Sequence, residues 1–88
     1  MNKLEVVWAV CGYAYGARGS AQIPQRLFKY KKGAREFLKD LDRDAQAGGL
    51  RTERIKDCLF VFSERGRLSS LTYYYIEQEY LIDTYREC

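Results

Sequence analysis

Few side chains in this sequence have the types and spacing that catalysis requires. The 88 residues include no histidine, which removes the commonest general base. No serine stands in a G-x-S-x-G arrangement, so a nucleophile would depend on a lysine or a carboxylate. Asp40 and Asp44 lie one helical turn apart and could bind Mg²⁺ with a substrate phosphate, but such pairs are typical of a solvated helix face. We therefore predict a non-enzymatic protein with no catalytic residue, metal or cofactor.

Glycines and cysteines offer two further kinds of chemistry, and neither has the required pattern. The segment 12–20, GYAYGARGS, could cradle a phosphate with backbone amides, but it lacks the Gly-Lys-Ser/Thr ending of such loops. It leads into no predicted helix and is better explained as a hairpin turn. Cys11, Cys58 and Cys88 are an odd number of cysteines without C-x-x-C spacing. That pattern favours free thiols in a reducing compartment over a disulfide framework or a zinc site.

Positive charge is concentrated in one part of the chain. The net charge is only +3, yet residues 18–35 contain no acid, whereas residues 36–44 and 77–88 are acid-rich. This asymmetry predicts a docking surface for a polyanion or for an acidic protein face. The cations assigned to that surface are Arg18, Arg26, Lys29, Lys31, Lys32 and Arg35.

Aromatic residues are the second abundant feature. Eight tyrosines in 88 residues, with one tryptophan and many arginines, match the residue types that dominate protein interfaces. Tyr13, Tyr15, Tyr73 and Tyr75 are the predicted contact residues. Aromatic rings beside cations also hold single-stranded RNA or DNA, which is the alternative function. The four residues 12–15, GYAY, resemble the middle of the RNP1 motif of RNA-recognition domains, although Cys11 stands where that motif has a basic residue.

Hydrophobic periodicity predicts one helix and several strands. Apolar residues recur on one helical face from Lys32 to Ala47, and Gly48-Gly49 should end that helix. Strands are expected over residues 4–15, 23–30, 55–63 and 68–76, and Pro24 places the second at an edge or a bulge. The segment 72–85 fits a strand or a helix, and we favour a strand. The expected fold is a single α+β domain over residues 1–88, with a mainly antiparallel ββαββ sheet and one amphipathic helix on one face.

Two of the predicted strands are apolar on both sides. Val6, Trp8 and Val10 alternate with Val7, Ala9 and Cys11, and residues 58–62 follow the same pattern. Strands of this kind need cover on both faces, and a single helix covers only one. The second face should meet the C-terminal segment, a second copy of the chain, or a target protein.

Size, the absence of catalytic groups and the strand, helix and hairpin outline together resemble the small accessory proteins of bacteriophages, including anti-CRISPR-type inhibitors. The resemblance covers the whole chain as architecture and includes no motif, and many such proteins are acidic. It implies an inhibitor or adaptor that docks on a host protein complex that handles nucleic acid. A homodimer and direct nucleic-acid contact are further expectations. Residues 4–10 are too short a run to span a membrane, and we expect a cytoplasmic protein.

Overall fold

A computed structural model of the chain describes residues 4–65 and 68–82. They form one five-stranded antiparallel sheet with a single helix against one face. The elements in chain order are β1 (Leu4–Gly16), β2 (Gly19–Phe28), α1 (Lys31–Ala47), β3 (Arg51–Ile55), β4 (Cys58–Arg65) and β5 (Leu68–Ile82). The order across the sheet is β2-β1-β5-β4-β3, so the first and last strands pair at its centre.

The predicted ββαββ order is wrong, because three strands follow the helix. Ile55 ends β3, Lys56 and Asp57 form a two-residue turn, and Cys58 begins β4. The predicted strand over 55–63 therefore includes the turn and only the last residue of β3, and the rest of β3 was not predicted. Two-residue turns are usually indicated by Asn-Gly, Asp-Gly or Gly-Gly, and Lys56-Asp57 contains no glycine. β3 is also highly charged, which is typical of an edge strand. The coarser prediction, a helix on one face of an antiparallel sheet, agrees with the structure.

Local sequence explains both ends of the helix. At its C-terminus Gly49 has φ +83, and the amides of Gly49 and Leu50 donate to the carbonyls of Gln46 and Ala45. This Schellman arrangement is the stop predicted from Gly48-Gly49. At the N-terminus Tyr30 occupies the cap position without a side-chain hydrogen bond, and α1 begins one residue before the predicted Lys32.

The hydrophobic core lies between the helix and the sheet. Ala34 and Leu38 of α1 pack against Val10 of β1 and against Leu59 and Val61 of β4. Leu38 is 1% exposed, and replacing such a leucine by alanine costs about 2–5 kcal/mol. The core fixes one face of each central strand, so the alternate residues of those strands point away from the helix.

Two predictions about the edges and the C-terminal segment are confirmed. β2 is an edge strand, and its pairing with β1 shifts register between Val10 and Gly12, where Pro24 and Gln25 lie. The proline therefore occupies the kind of position in which its missing amide is tolerated. The C-terminal segment is a strand as far as Ile82, and residues 83–85 lie outside the described residues.

Candidate docking surfaces

The face of the sheet opposite the helix carries a cluster of aromatic rings, which we call the tyrosine face. Register brings Tyr13 of β1 opposite Tyr73 of β5, and Tyr73 opposite Phe60 of β4. Ring centroids lie 4.9 Å apart for Phe60 and Tyr73, 5.4 Å for Tyr73 and Tyr75, and 6.4 Å for Tyr13 and Tyr75. Tyr15 continues the row 6.3 Å from Tyr13 and is 44% exposed. All four predicted contact tyrosines thus form one surface.

The hydroxyl groups of Tyr73 and Tyr75 have raised pKa values. The Tyr73 hydroxyl lies 3.7 Å from the Cys58 thiol, and this contact, with burial, raises the pKa of Tyr73. Burial and the neighbouring Tyr13 raise the pKa of Tyr75 to about 12. Both tyrosines therefore stay neutral near pH 7 and present half-buried, uncharged rings. Such rings contribute a large contact area with little loss of side-chain freedom on binding.

Carboxylates surround the tyrosine face. Strand pairing places acidic residues on the same side of the sheet as the rings, and these are Glu5, Glu53, Glu64, Glu77 and Glu79. Among the described strand residues of this side, the one cation is Arg51, whose guanidinium lies 4.0 Å from the centre of the Phe62 ring. The face is therefore aromatic at its centre and negative at its margin.

Cys11, Glu77 and Glu79 form the one group of possible metal ligands among the described residues. Their ligand atoms lie within 4.8 Å of one another on the same side of the sheet as the rings. Gln25 donates to Glu79 at 2.9 Å and to the Cys11 sulfur at 3.7 Å. Burial first, and then the two carboxylates, raise the pKa of the Cys11 thiol, so it is mostly protonated at neutral pH. These contacts pair the polar groups with one another, and Val7, Ala9 and Cys11 on the same side of the sheet are buried.

A hollow of about 350 Å³ lies at the Tyr15 end of this face. Tyr15, Phe62 and Leu71 supply its apolar wall, and Glu64 and Ser69 its polar wall. The lining residues come from three strands that meet near the β1–β2 turn. The hollow is of a size to receive one side chain from a partner.

The predicted cations of residues 18–35 do not lie on one surface. Arg18 is in the β1–β2 turn, and the length of β2 puts it roughly 30 Å from Lys29. Arg26 points to the helix side, 5.0 Å from the centre of the Phe37 ring. Lys29 and Lys31 lie against the rings of Tyr30 and Trp8, at 5.7 Å and 5.2 Å.

A second candidate surface lies between α1 and the β3–β4 turn, and we call it the basic groove. Its volume is about 550 Å³, and its cations are Lys32, Arg35, Lys39, Arg54 and Lys56. Lys32 and Arg35 belong to the predicted cluster. Arg54 and Lys56 were missed because they lie beside and at the start of the predicted strand 55–63, about 20 residues beyond the cluster, and no local signal joins the two segments.

Comparison with protein-family models, with curated proteins and with solved structures found no match for this chain. In the described part of the chain, α1 is the one helix, and it is neither long nor apolar enough to cross a membrane.

Proposed function

We propose that this protein is a non-enzymatic inhibitor or adaptor that docks, through the tyrosine face, on a protein that handles nucleic acid. The observation that carries the proposal is the single row of rings formed by Tyr15, Tyr13, Tyr75, Tyr73 and Phe60 on the side of the sheet opposite the helix. Rigid aromatic residues near the centre of a contact supply most of the binding energy in protein interfaces.

Charge indicates the kind of partner. Carboxylates such as Glu53, Glu77 and Glu79 border the rings, so the face complements a positive protein surface. Proteins that handle nucleic acid present positive grooves to phosphates. A face with stacked rings and flanking carboxylates offers such a groove the same two features as a nucleic acid, stacked planar groups and negative charge. The proposed mode of action is thus competition for that groove.

A second copy of the chain is a poorer occupant of the same face. A two-fold dimer through this face would bring the acidic margin of one copy against the acidic margin of the other, since both copies use the same patch. Like charges placed opposite each other in an interface are unfavourable. The homodimer remains a prediction, and light scattering over a wide concentration range measures it directly.

Single-stranded nucleic acid is the alternative ligand for the tyrosine face. The rings of Tyr73 and Phe60 favour it, because bases stack on accessible aromatic side chains and both rings are only half-buried. The carboxylates beside those rings oppose it, because they repel phosphates. The balance of these two effects favours the protein partner.

The test compares the protein with variants that remove rings from one face or the other of the sheet. A nuclease-treated cell extract is passed over immobilised wild type, over Tyr15→Ala/Tyr73→Ala, and over the control Tyr80→Ala. Tyr80 is 58% exposed and lies on the helix side of β5, the strand that also contains Tyr73. Its replacement therefore removes a ring from the other face of the sheet. Melting curves establish that each variant is folded.

We expect nucleic-acid-binding proteins to be retained by wild type and by Tyr80→Ala, and to be released by added oligonucleotide. The affinity for a retained protein, once purified, should fall about 5- to 150-fold in the double variant, as for the loss of about 1–3 kcal/mol at a hot spot. Retention of the same proteins by all three would refute the assignment of this face. Direct oligonucleotide binding that requires Tyr15 and Tyr73 would establish the alternative instead.

A further inference from the structure

We propose that the basic groove binds the phosphate backbone of a single-stranded nucleic acid. This is a second activity, on the opposite side of the sheet from the tyrosine face, and it does not depend on the function proposed above. Its cations come from three places in the chain: the exposed side of α1, the end of β3, and the β3–β4 turn. Glu36 and Asp57 are the acids that line the same groove.

Asp57 fixes the geometry of the groove. Its carboxylate accepts a hydrogen bond from the Arg35 guanidinium at 3.0 Å and pairs with the Lys31 ammonium at 3.2 Å. The Arg35 hydrogen bond is the main cause of its lowered pKa, with Lys31 adding to it, so Asp57 is charged at neutral pH. One acid in the turn thereby connects the first two turns of α1 to the β3–β4 hairpin.

The remaining cations of the groove outnumber the acids available to pair with them. Among the described residues the salt bridges join Lys31 and Arg35 to Asp57, Arg43 to Asp40, and Arg51 to Glu64. Lys32, Lys39, Arg54 and Lys56 take part in none of these. Unpaired like charges that converge on one groove repel each other, so their arrangement does not serve the fold. It does serve the binding of an anion.

The backbone at Lys56 points to the same conclusion. Its φ is +55, the left-handed region, and it is the one described non-glycine residue with a positive φ. The first position of a two-residue hairpin turn usually holds glycine or asparagine, because these two residues adopt a positive φ most readily. A lysine at this position adds strain and adds one more positive charge at the mouth of the groove. Strain retained at one residue commonly accompanies a functional role.

The shape and surroundings of the groove favour a polymer with bases over a small anion or an acidic protein. Lys32 and Lys39 are seven residues apart on α1, which corresponds to a track about 10 Å long. Such a track exceeds one phosphate and suits two or more in succession. At the start of α1 the ring of Tyr30 is 67% exposed and lies 5.7 Å from the Lys29 ammonium. A cation beside an exposed ring is the arrangement that holds a stacked base and its phosphate.

The experiment measures binding of a labelled oligothymidylate of about 12 nucleotides by fluorescence anisotropy at several salt concentrations. Contacts from the four unpaired cations predict a slope of log K against log[salt] near −2.8, from about −0.7 for each phosphate neutralised on a single strand. Lys39→Gln/Arg54→Gln should reduce the steepness of that slope by about 1.4. If variant and wild type bind equally when extrapolated to 1 M salt, the variant's affinity at 0.1 M salt should be about 25-fold lower than that of wild type. The control Arg18→Gln/Arg43→Gln removes the same charge outside the groove.

Three results would overturn the proposal. The first is an absence of oligothymidylate binding by the wild type at low salt. The second is an equal loss of affinity in the control, which would show a response to net charge alone. The third is displacement of the oligonucleotide by poly-glutamate at equal charge concentration, which would show that the groove recognises acidic polymers in general. Tyr15→Ala/Tyr73→Ala should bind the oligonucleotide as well as wild type does, so this test and that of the tyrosine face fail separately.

Discussion

Replacing Lys56 by glycine is expected to stabilise the protein while weakening its binding of anions. The left-handed conformation at φ +55 costs a residue with a side chain about 1–2 kcal/mol, and glycine escapes that cost. Glycine also increases the conformational entropy of the unfolded chain, which offsets about 0.5–1 kcal/mol of the gain. The net expectation is a rise of about 0.5–1 kcal/mol in the free energy of unfolding. For a domain of this size that corresponds to about 2–8 °C in Tm.

The assay is urea unfolding followed by circular dichroism, with Lys56→Ala as the matched control. Alanine removes the ammonium group but keeps a side-chain carbon in the left-handed conformation, so it separates charge from backbone strain. We expect Lys56→Ala to change stability by less than about 0.5 kcal/mol and to lose as much oligonucleotide affinity as Lys56→Gly. Equal stabilisation by alanine and glycine would refute the reasoning, because charge repulsion among the groove cations would then be the cause.

Three further expectations follow from the contacts described above. Asp57→Asn should lower the free energy of unfolding by about 1 kcal/mol at pH 7. The wild type should lose the same stability as the pH falls from about 4 through the lowered pKa of Asp57, and Asp57→Asn should show no such loss. Because the folded state raises the pKa of Tyr75 to about 12, the contribution of Tyr75 to stability is complete below pH 10 and is lost between pH 10 and 12. The absorbance of ionised tyrosine should therefore rise together with alkaline unfolding, and two separate transitions would contradict this. Gly12→Ala should destabilise by about 1–3 kcal/mol in chemical denaturation, because the added carbon would lie 2.9 Å from the Tyr73 carbonyl oxygen; an unchanged midpoint would mean that the sheet shifts to admit it.

Local signals predicted the features that depend on neighbouring residues alone. Gly48-Gly49 ends α1 by its backbone freedom, Pro24 lies at an edge bulge, and the β-forming run after Thr72 is a strand. The Lys56-Asp57 turn gave no such signal. Asp57 is bound by Lys31 and Arg35 of α1, and contacts between distant parts of the chain are not visible in the local sequence. Local reasoning therefore missed β3 and began the next strand too early.

Nonlocal pairing decided the rest. Tyr13 meets Tyr73 only because β1 pairs with β5 across some sixty residues of sequence, and no periodicity encodes that choice. The sequence named the tyrosines as contact residues without indicating that they share one face. The cations were grouped by closeness in sequence, but β2 is an extended strand and carries Arg18 far from Lys32. Arg54 joined the groove through the β3–β4 hairpin, which the sequence did not predict.

The central position of β5 has a consequence for how the chain folds. Leu4 pairs with Ile82 and Tyr15 with Leu71, so the longest-range contacts of the molecule lie in the middle of its sheet. While the chain is being synthesised, β1 can pair with β2, but its other edge stays open until residues 68–82 have emerged. Such high contact order slows folding and leaves an unpaired, apolar strand edge exposed during that interval. Shortening the chain within β5 should therefore yield aggregation, and not a smaller folded domain.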